Sequence, residues 1–157
     1  MYLVLLTGVG LLLLLARLRQ AIEGSRSSLF WALGVAGVAA WIVGYALVVG
    51  VPAAYGFGGA SNLHLGNDLI YVLSETGWAV MYGAGGTLLG CALIAFAVGP
   101  VAAPAWVRWS TLVAGIAGIA AIAWFPFFLV YISAIVVGIW LFVADSRRAP
   151  APAVQGA

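Results

Sequence analysis

Residues 110–144 read STLVAGIAGIAAIAWFPFFLVYISAIVVGIWLFVA, a run of 35 residues without a charged side chain. As one helix this run would be about 52 Å long, whereas the hydrocarbon core of a bilayer is about 30 Å thick. Pro126 lies near its middle, and proline is tolerated at the first position of a helix but disfavoured inside one. The stretch therefore predicts two membrane-spanning helices, at residues 106–122 and 126–144, joined by a tight turn.

The whole chain has the composition of a membrane protein. Of its 157 residues, 66% are hydrophobic and 6% are charged, and its mean hydropathy is +1.19. Soluble domains are about 45–50% apolar and about 25% charged. Six basic and four acidic side chains are too few for a nucleic-acid-binding surface. The sequence has no lysine, which excludes a Schiff base with retinal or pyridoxal phosphate. Its single cysteine, Cys91, excludes an internal disulfide.

Three further apolar runs precede this stretch, at about residues 1–18, 29–51 and 77–99. In the first run Arg17 and Arg19 follow the apolar residues instead of preceding them, so we expect a retained helix and not a secretory signal peptide. Pro52, directly after the second run, is typical of a helix end. The sequence thus predicts one all-α domain over residues 1–148, a polytopic bundle of five transmembrane helices plus an amphipathic outer helix before the third span, and a disordered tail at residues 149–157.

The placement of the arginines supports five helices. With five helices and the N-terminus outside, all six fall on the cytoplasmic side: Arg17, Arg19, Arg26, Arg108, Arg147 and Arg148. This is what the positive-inside rule expects, whereas a four-helix bundle would put the last two outside. We therefore expect a multi-pass protein of the plasma (inner) membrane with a cytoplasmic C-terminus.

Small residues recur at a spacing of four in the second and third predicted spans. Those that we expect to pack helices together are Ala36, Ala40, Gly44, Gly83, Gly86 and Gly90. Because lipid tails are as apolar as leucine, membrane helices associate through close packing of small residues. We interpret the two stripes as tight packing within one bundle, with a homo-oligomer seam or a lipid groove as the alternative. Cys91 belongs to the second stripe and is interpreted as a packing residue.

His64, Asp68, Tyr71 and Glu75 form the candidate ligand-binding site of the sequence. On a helix over residues 63–76, counted from His64, the other three lie at about 40°, about −20° and about 20°, so all four share one face. Three interpretations stay open. The helix is an outer amphipathic helix with its polar face in water, a polar lid over a bundle cavity that binds a cationic or hydroxylated ligand, or a metal or acid/base site. A catalytic zinc site normally needs three protein ligands, so we expect no metal, no cofactor and no catalytic residue.

Two short segments carry a resemblance to a known family. Pro104-Ala105-Trp106-Val107-Arg108-Trp109 has the form Pro-x-Trp-x-x-Trp, and Asn67-Asp68-Leu69 begins the polar helix. Together with the proline-broken final hairpin, they resemble a family of uncharacterised multi-helix integral membrane proteins of high-GC bacteria, known as a domain of unknown function. The resemblance covers most of the chain. It implies a helical bundle and carries over no activity and no site residue.

The predicted membrane core contains no charged residue, whereas coupled pumps and ion pathways usually carry acids or histidines there. We therefore expect a small non-catalytic membrane protein, a structural or accessory subunit of a membrane assembly. Its expected partners are membrane lipid and other membrane subunits or a second copy of the chain, but not nucleic acid. The first alternative is a homo-oligomeric small-solute or lipid transporter with entry near Asp68 and Glu75. The second is a membrane enzyme with a site on the outer face.

Overall fold

A computed structural model describes residues 2–22, 24, 26–57, 66–123 and 128–148. Across these residues the chain is helical, with one isolated backbone bridge and no strand. The helices are α1 Tyr2–Gln20, α2 Arg26–Phe57, α3 Asn67–Trp78, α4 Gly86–Val98, α5 Ala105–Ile119 and α6 Phe128–Arg148, with a π-helical segment at Ala79–Gly85 and a 3-10 segment at Ala120–Ala123. The predicted all-α fold is confirmed for this part of the chain.

Three helices are long and apolar enough to cross a bilayer: Arg26–Ala54, Asn67–Val98 and Phe128–Ser146. Helix α5 is apolar but shorter. The outer surface of the bundle agrees with a lipid environment, because large apolar side chains cover it. Leu6, Ile135 and Phe142, for example, are 67%, 63% and 75% exposed. Length, composition and surface therefore indicate a helical membrane bundle.

Helix α3, the π-helical segment and α4 follow one another without a break and form one helix, Asn67–Val98. At both junctions the backbone stays right-handed helical, at Ala79 (φ −61°, ψ −41°) and at Gly86 (φ −61°, ψ −46°). The amphipathic segment, which we expected as a separate outer helix, is thus the first three turns of a helix about 48 Å long. We call it the α3–α4 helix. It exceeds a hydrocarbon core of about 30 Å, so its amphipathic turns can project beyond the core.

Helix α2 continues through Pro52 and ends at Phe57, beyond the stop that the sequence predicted. A proline inside a helix removes one backbone hydrogen bond and crowds the preceding turn. Membrane helices tolerate this, because neighbouring groups satisfy the freed carbonyl. Pro52 is exposed, so its ring lies on the outer surface of the bundle.

Helix α2 approaches the α3–α4 helix to backbone contact at two glycines. A Cβ atom placed on Gly44 would lie 2.5 Å from the backbone nitrogen of Met81, and one placed on Gly37 would lie 2.8 Å from the backbone of the facing helix. Helices α4 and α5 meet in the same way, since a Cβ on Gly90 would lie 2.5 Å from the carbonyl oxygen of Gly115. These distances leave room for hydrogen only, so glycine is required at each crossing.

The predicted packing residues differ in how deeply they lie. Gly44, Gly86 and Gly90 are buried, Ala40 and Gly83 are half-buried, and Ala36 is exposed. The face of α2 that meets the α3–α4 helix carries Gly37 and Gly44. The contact face is therefore rotated from the predicted stripe and shares Gly44 with it.

Two connections of the chain lie at the same end of the bundle. Ile22, between α1 and α2, and Val101, between α4 and α5, form an antiparallel backbone bridge. Phe30 and Phe96, close to these connections in sequence, are fully buried with ring centroids 6.2 Å apart. We call this end the arginine end, because its helix termini carry Arg17, Arg19, Arg26 and Arg108.

Candidate functional site

Three of the four predicted ligand-binding residues lie on the first turns of α3. Asp68, Tyr71 and Glu75 are all exposed, and Tyr71 is 66% exposed. Their spacing of three and four residues places them on one face of the helix. The fourth, His64, lies outside the described residues. Gly66 precedes the helix with an extended backbone and no side-chain cap, so the Asp68 carboxylate in the first turn stabilises this N-terminus through the helix dipole.

This face carries two carboxylates and a phenol, but they are not enclosed. In the part of the chain that the structure describes, no three His, Cys, Asp or Glu side chains come together as a possible metal site. An exposed carboxylate keeps its hydration and gains little from a neighbouring cation in a high-dielectric surrounding. The described face of α3 is therefore an open surface and not a pocket.

Helices α1, α4 and α6 enclose a small void in the interior. Its volume is about 20 Å³, and leucine and valine side chains form most of its lining. Ser133 also lines it, and this side chain is buried with no hydrogen-bond partner for its Oγ atom. A void of this size holds about one water molecule. It is too small for a solute or a substrate.

Aromatic side chains pack beside the π-helical segment. Trp41 stacks on Tyr45 with ring centroids 6.3 Å apart and meets Tyr131 edge-on at 6.5 Å. Trp78 stacks on Tyr82 at 5.3 Å, with the two planes 2° apart. Such pairs each contribute about 0.5–1.5 kcal/mol beyond the burial of their area. Trp41 and Tyr45, like Trp78 and Tyr82, are four residues apart in the sequence, and this spacing could have predicted both pairs.

An open hollow of about 460 Å³ lies between α1 and α2 at the arginine end. Its polar lining comes from Arg19, Gln20 and Ser27, and Trp31 forms part of its wall. The Arg19 guanidinium lies over the Trp31 ring, 5.6 Å from its centroid. Its Nε donates to the Ser27 Oγ at 3.3 Å, and that hydroxyl donates to the Arg19 carbonyl oxygen at 3.4 Å. These contacts hold the guanidinium in one orientation.

A second open hollow, of about 420 Å³, lies between α4 and α5 at the same end. Arg108 and Trp109 line it, and the Arg108 Nε donates to the carbonyl oxygen of Ala97 at 2.9 Å. This bond satisfies a carbonyl of the last turn of α4, where a positive charge also complements the helix dipole. In the sequence these arginines indicate only the orientation of the chain in the membrane. The hollows are not visible there, because each forms between two helices.

No protein-family model, no curated protein and no solved structure matches this chain. The resemblance to the family of multi-helix bacterial membrane proteins therefore stays a prediction. What defines the class of the protein is its own helices: an all-α bundle in which three helices have the length and apolarity of membrane spans.

Proposed function

We propose that the chain is an integral membrane bundle of five spans, with its N-terminus outside and its C-terminus in the cytoplasm. Helix α1 has 19 residues, and α5 with its 3-10 extension has 15 and 4. Helix α1 is about 28 Å long and α5 with its extension is about 30 Å long, close to the core thickness of about 30 Å. Both pack against longer helices, α1 on α2 and α5 on the α3–α4 helix and α6. The shared end of two connections supports an up-and-down order with the arginine end in the cytoplasm.

Within this bundle the proposed role is non-catalytic, that of a structural or accessory subunit of a membrane assembly. The observation that carries it is the lack of enclosure at those candidate polar groups that the structure describes. Asp68, Tyr71 and Glu75 face outward, and the void beside Ser133 holds about one water molecule. Catalysis and selective transport both need a pocket that removes the substrate from bulk water.

Mass spectrometry of the tagged full-length protein, extracted gently from its own membrane, tests this role. A different chain present in stoichiometric amount supports the accessory role, and that partner then defines the assembly. A homo-oligomer that by itself moves a solute across liposomes, or turns over a lipid, would overturn it. In that case the homo-oligomeric transporter or the membrane enzyme would take its place.

The proposed topology has its own test by cysteine labelling. In a Cys91→Ala background, Ser146→Cys places a thiol at an exposed position near the end of α6. We expect a membrane-impermeant thiol reagent to label it only after the cells are opened. Tyr71→Cys, exposed on α3, is the matched control and should be labelled in intact cells. Labelling of Ser146→Cys in intact cells would contradict the odd number of spans.

A further inference from the structure

The two hollows at the arginine end share one construction. In each hollow, the Nε of an arginine donates a hydrogen bond to another residue: Arg19 to the Ser27 hydroxyl and Arg108 to the Ala97 carbonyl oxygen. In each, a tryptophan stands beside it, Trp31 in the first and Trp109 in the second. The backbone bridge between the two connections places both hollows on the same side of the bundle. A ligand that binds to an arginine beside a tryptophan therefore meets such a pair in both hollows.

The guanidinium of Arg19 is positioned to bind an anion. A guanidinium is planar, and it presents its donors in a fork that matches the oxygens of a phosphate. The contact with the Trp31 ring and the bond from Nε to Ser27 position the guanidinium, and the terminal nitrogens carry the remaining donors. Gln20 and Ser27 add uncharged polar groups to the same hollow. Because Arg19 and Ser27 already bond to each other, less conformational entropy is lost when an anion binds to them.

The charge of the arginine end points to an anionic ligand. Its helix termini carry Arg17, Arg19, Arg26 and Arg108. The two connections, residues 21–25 and 99–104, contain one acid, Glu23. This excess of positive charge attracts the anionic lipids of a leaflet and repels cations.

The surroundings of the first hollow favour a lipid over a free phosphate ion. Tryptophan rings prefer the headgroup level of a bilayer, which places Trp31 and the hollow at that depth. Ala16 belongs to the hollow wall, and Leu13, about one turn deeper on α1, is 64% exposed. The hollow thus continues into an apolar surface, on which an acyl chain can lie below a bound headgroup.

We propose that the hollow between α1 and α2 binds the phosphate of an anionic phospholipid. Arg19 contacts the phosphate, and Gln20 and Ser27 contact the headgroup. The hollow at Arg108 and Trp109 binds a second lipid of the same leaflet. This inference rests on the proposed insertion of the bundle in the membrane.

Lipid titration followed by native mass spectrometry tests the proposal on the full-length protein in a neutral detergent. Phosphatidylglycerol should bind more tightly than phosphatidylcholine, which carries the same phosphate without net charge. Arg19→Gln should weaken phosphatidylglycerol binding about fivefold, the effect of one arginine near a charged lipid surface. Arg17→Gln is the matched control: Arg17 is exposed on the same helix but does not line the hollow. It should lower the affinity less than Arg19→Gln does, because Arg17 adds to the positive charge of this end but does not contact the phosphate.

Three results would overturn the proposal: equal losses in Arg17→Gln and Arg19→Gln, equal affinity for the two lipids, or displacement of the lipid by millimolar inorganic phosphate. If Arg19→Gln fails to fold, Arg19→Lys takes its place. It keeps the charge but loses the planar fork, so it should bind more weakly than the wild type, and unchanged binding would contradict the proposed contact. Alkaline carbonate extraction separates this inference from the proposed function. Release of the protein from the membrane pellet would overturn membrane insertion itself, whatever the lipid titration shows.

Discussion

Gly44→Ala is expected to force α2 away from the α3–α4 helix. The added Cβ would lie 2.5 Å from the Met81 backbone nitrogen, 2.6 Å from the Gly77 carbonyl oxygen and 2.7 Å from the Met81 Cβ. Carbon atoms are in favourable contact at about 3.5–4.0 Å, so the two helices must separate by about 1 Å. Two of the three atoms belong to the backbone, and no change of rotamer moves them.

The size of the effect follows from comparison with Gly50→Ala on the same helix, where nothing lies within 4 Å of an added Cβ. Both substitutions gain up to about 1 kcal/mol of helix propensity. Overpacking costs about 1–3 kcal/mol, and a clash with backbone belongs at the upper end. We therefore expect Gly44→Ala to lower the free energy of unfolding by about 2 kcal/mol and Gly50→Ala to raise it by up to about 1 kcal/mol.

Reversible unfolding in mixed micelles of neutral and denaturing detergent measures both values. The seven tryptophans of the chain provide the fluorescence signal. Because the two variants share the same Gly→Ala change, their difference of about 3 kcal/mol isolates the cost of the clash. A difference below about 1 kcal/mol would refute a rigid crossing at Gly44.

The same unfolding assay checks three more expectations. Ser133→Ala should raise the free energy of unfolding by about 1 kcal/mol, because it removes a buried hydroxyl without a partner; a loss would mean that the hydroxyl is bonded. Asp68→Asn combined with Glu75→Gln should lower it by no more than about 1 kcal/mol, since both carboxylates are exposed and only Asp68 loses an interaction, that with the helix dipole; a larger fall would give them a further structural role. Arg108→Gln should lower it by about 1–2 kcal/mol through loss of the charge-assisted bond to α4, and an unchanged value would contradict that bond.

Pro52 and Pro126 differ in the length of the apolar run in which each lies. The charge-free run of residues 110–144 is too long for one span. The structure describes helices up to Ala123 and again from Phe128. Pro126, where we predict the turn, lies outside the described residues. Pro52 has the same ring and the same missing donor, yet α2 continues through it. The second apolar run already fits the bilayer, so no break is needed there, and the cost of the proline alone does not end the helix.

The candidate site shows what the helical period of a sequence does not predict. The period of 3.6 residues correctly groups Asp68, Tyr71 and Glu75 on one helix, but a period says nothing about what the shared face meets. What the face meets depends on how the amphipathic turns join the next span, and here they continue into it without a break. The same limit applies to Arg19. Its position at a helix end is visible in the sequence. Its hollow is not, since Trp31 and Ser27 come from the next helix.

The π-helical segment explains why a spacing of four residues does not predict the glycines at which the α3–α4 helix meets α2. Gly44 faces Gly77, and Gly37 faces Gly85, since added Cβ atoms on Gly77 and Gly85 would lie 2.7 Å and 3.2 Å from the opposite carbonyl oxygens. On α2 the two glycines are seven residues apart, which an α-helix turns through about 700°, within about 20° of two full turns. On the partner they are eight apart, which would leave an error of about 80°. A π-helix has more residues per turn, so the segment between them absorbs the extra residue and returns Gly85 to the face that carries Gly77. A rule built on α-helical spacing follows Gly83 instead, and so misses the pair that meets α2.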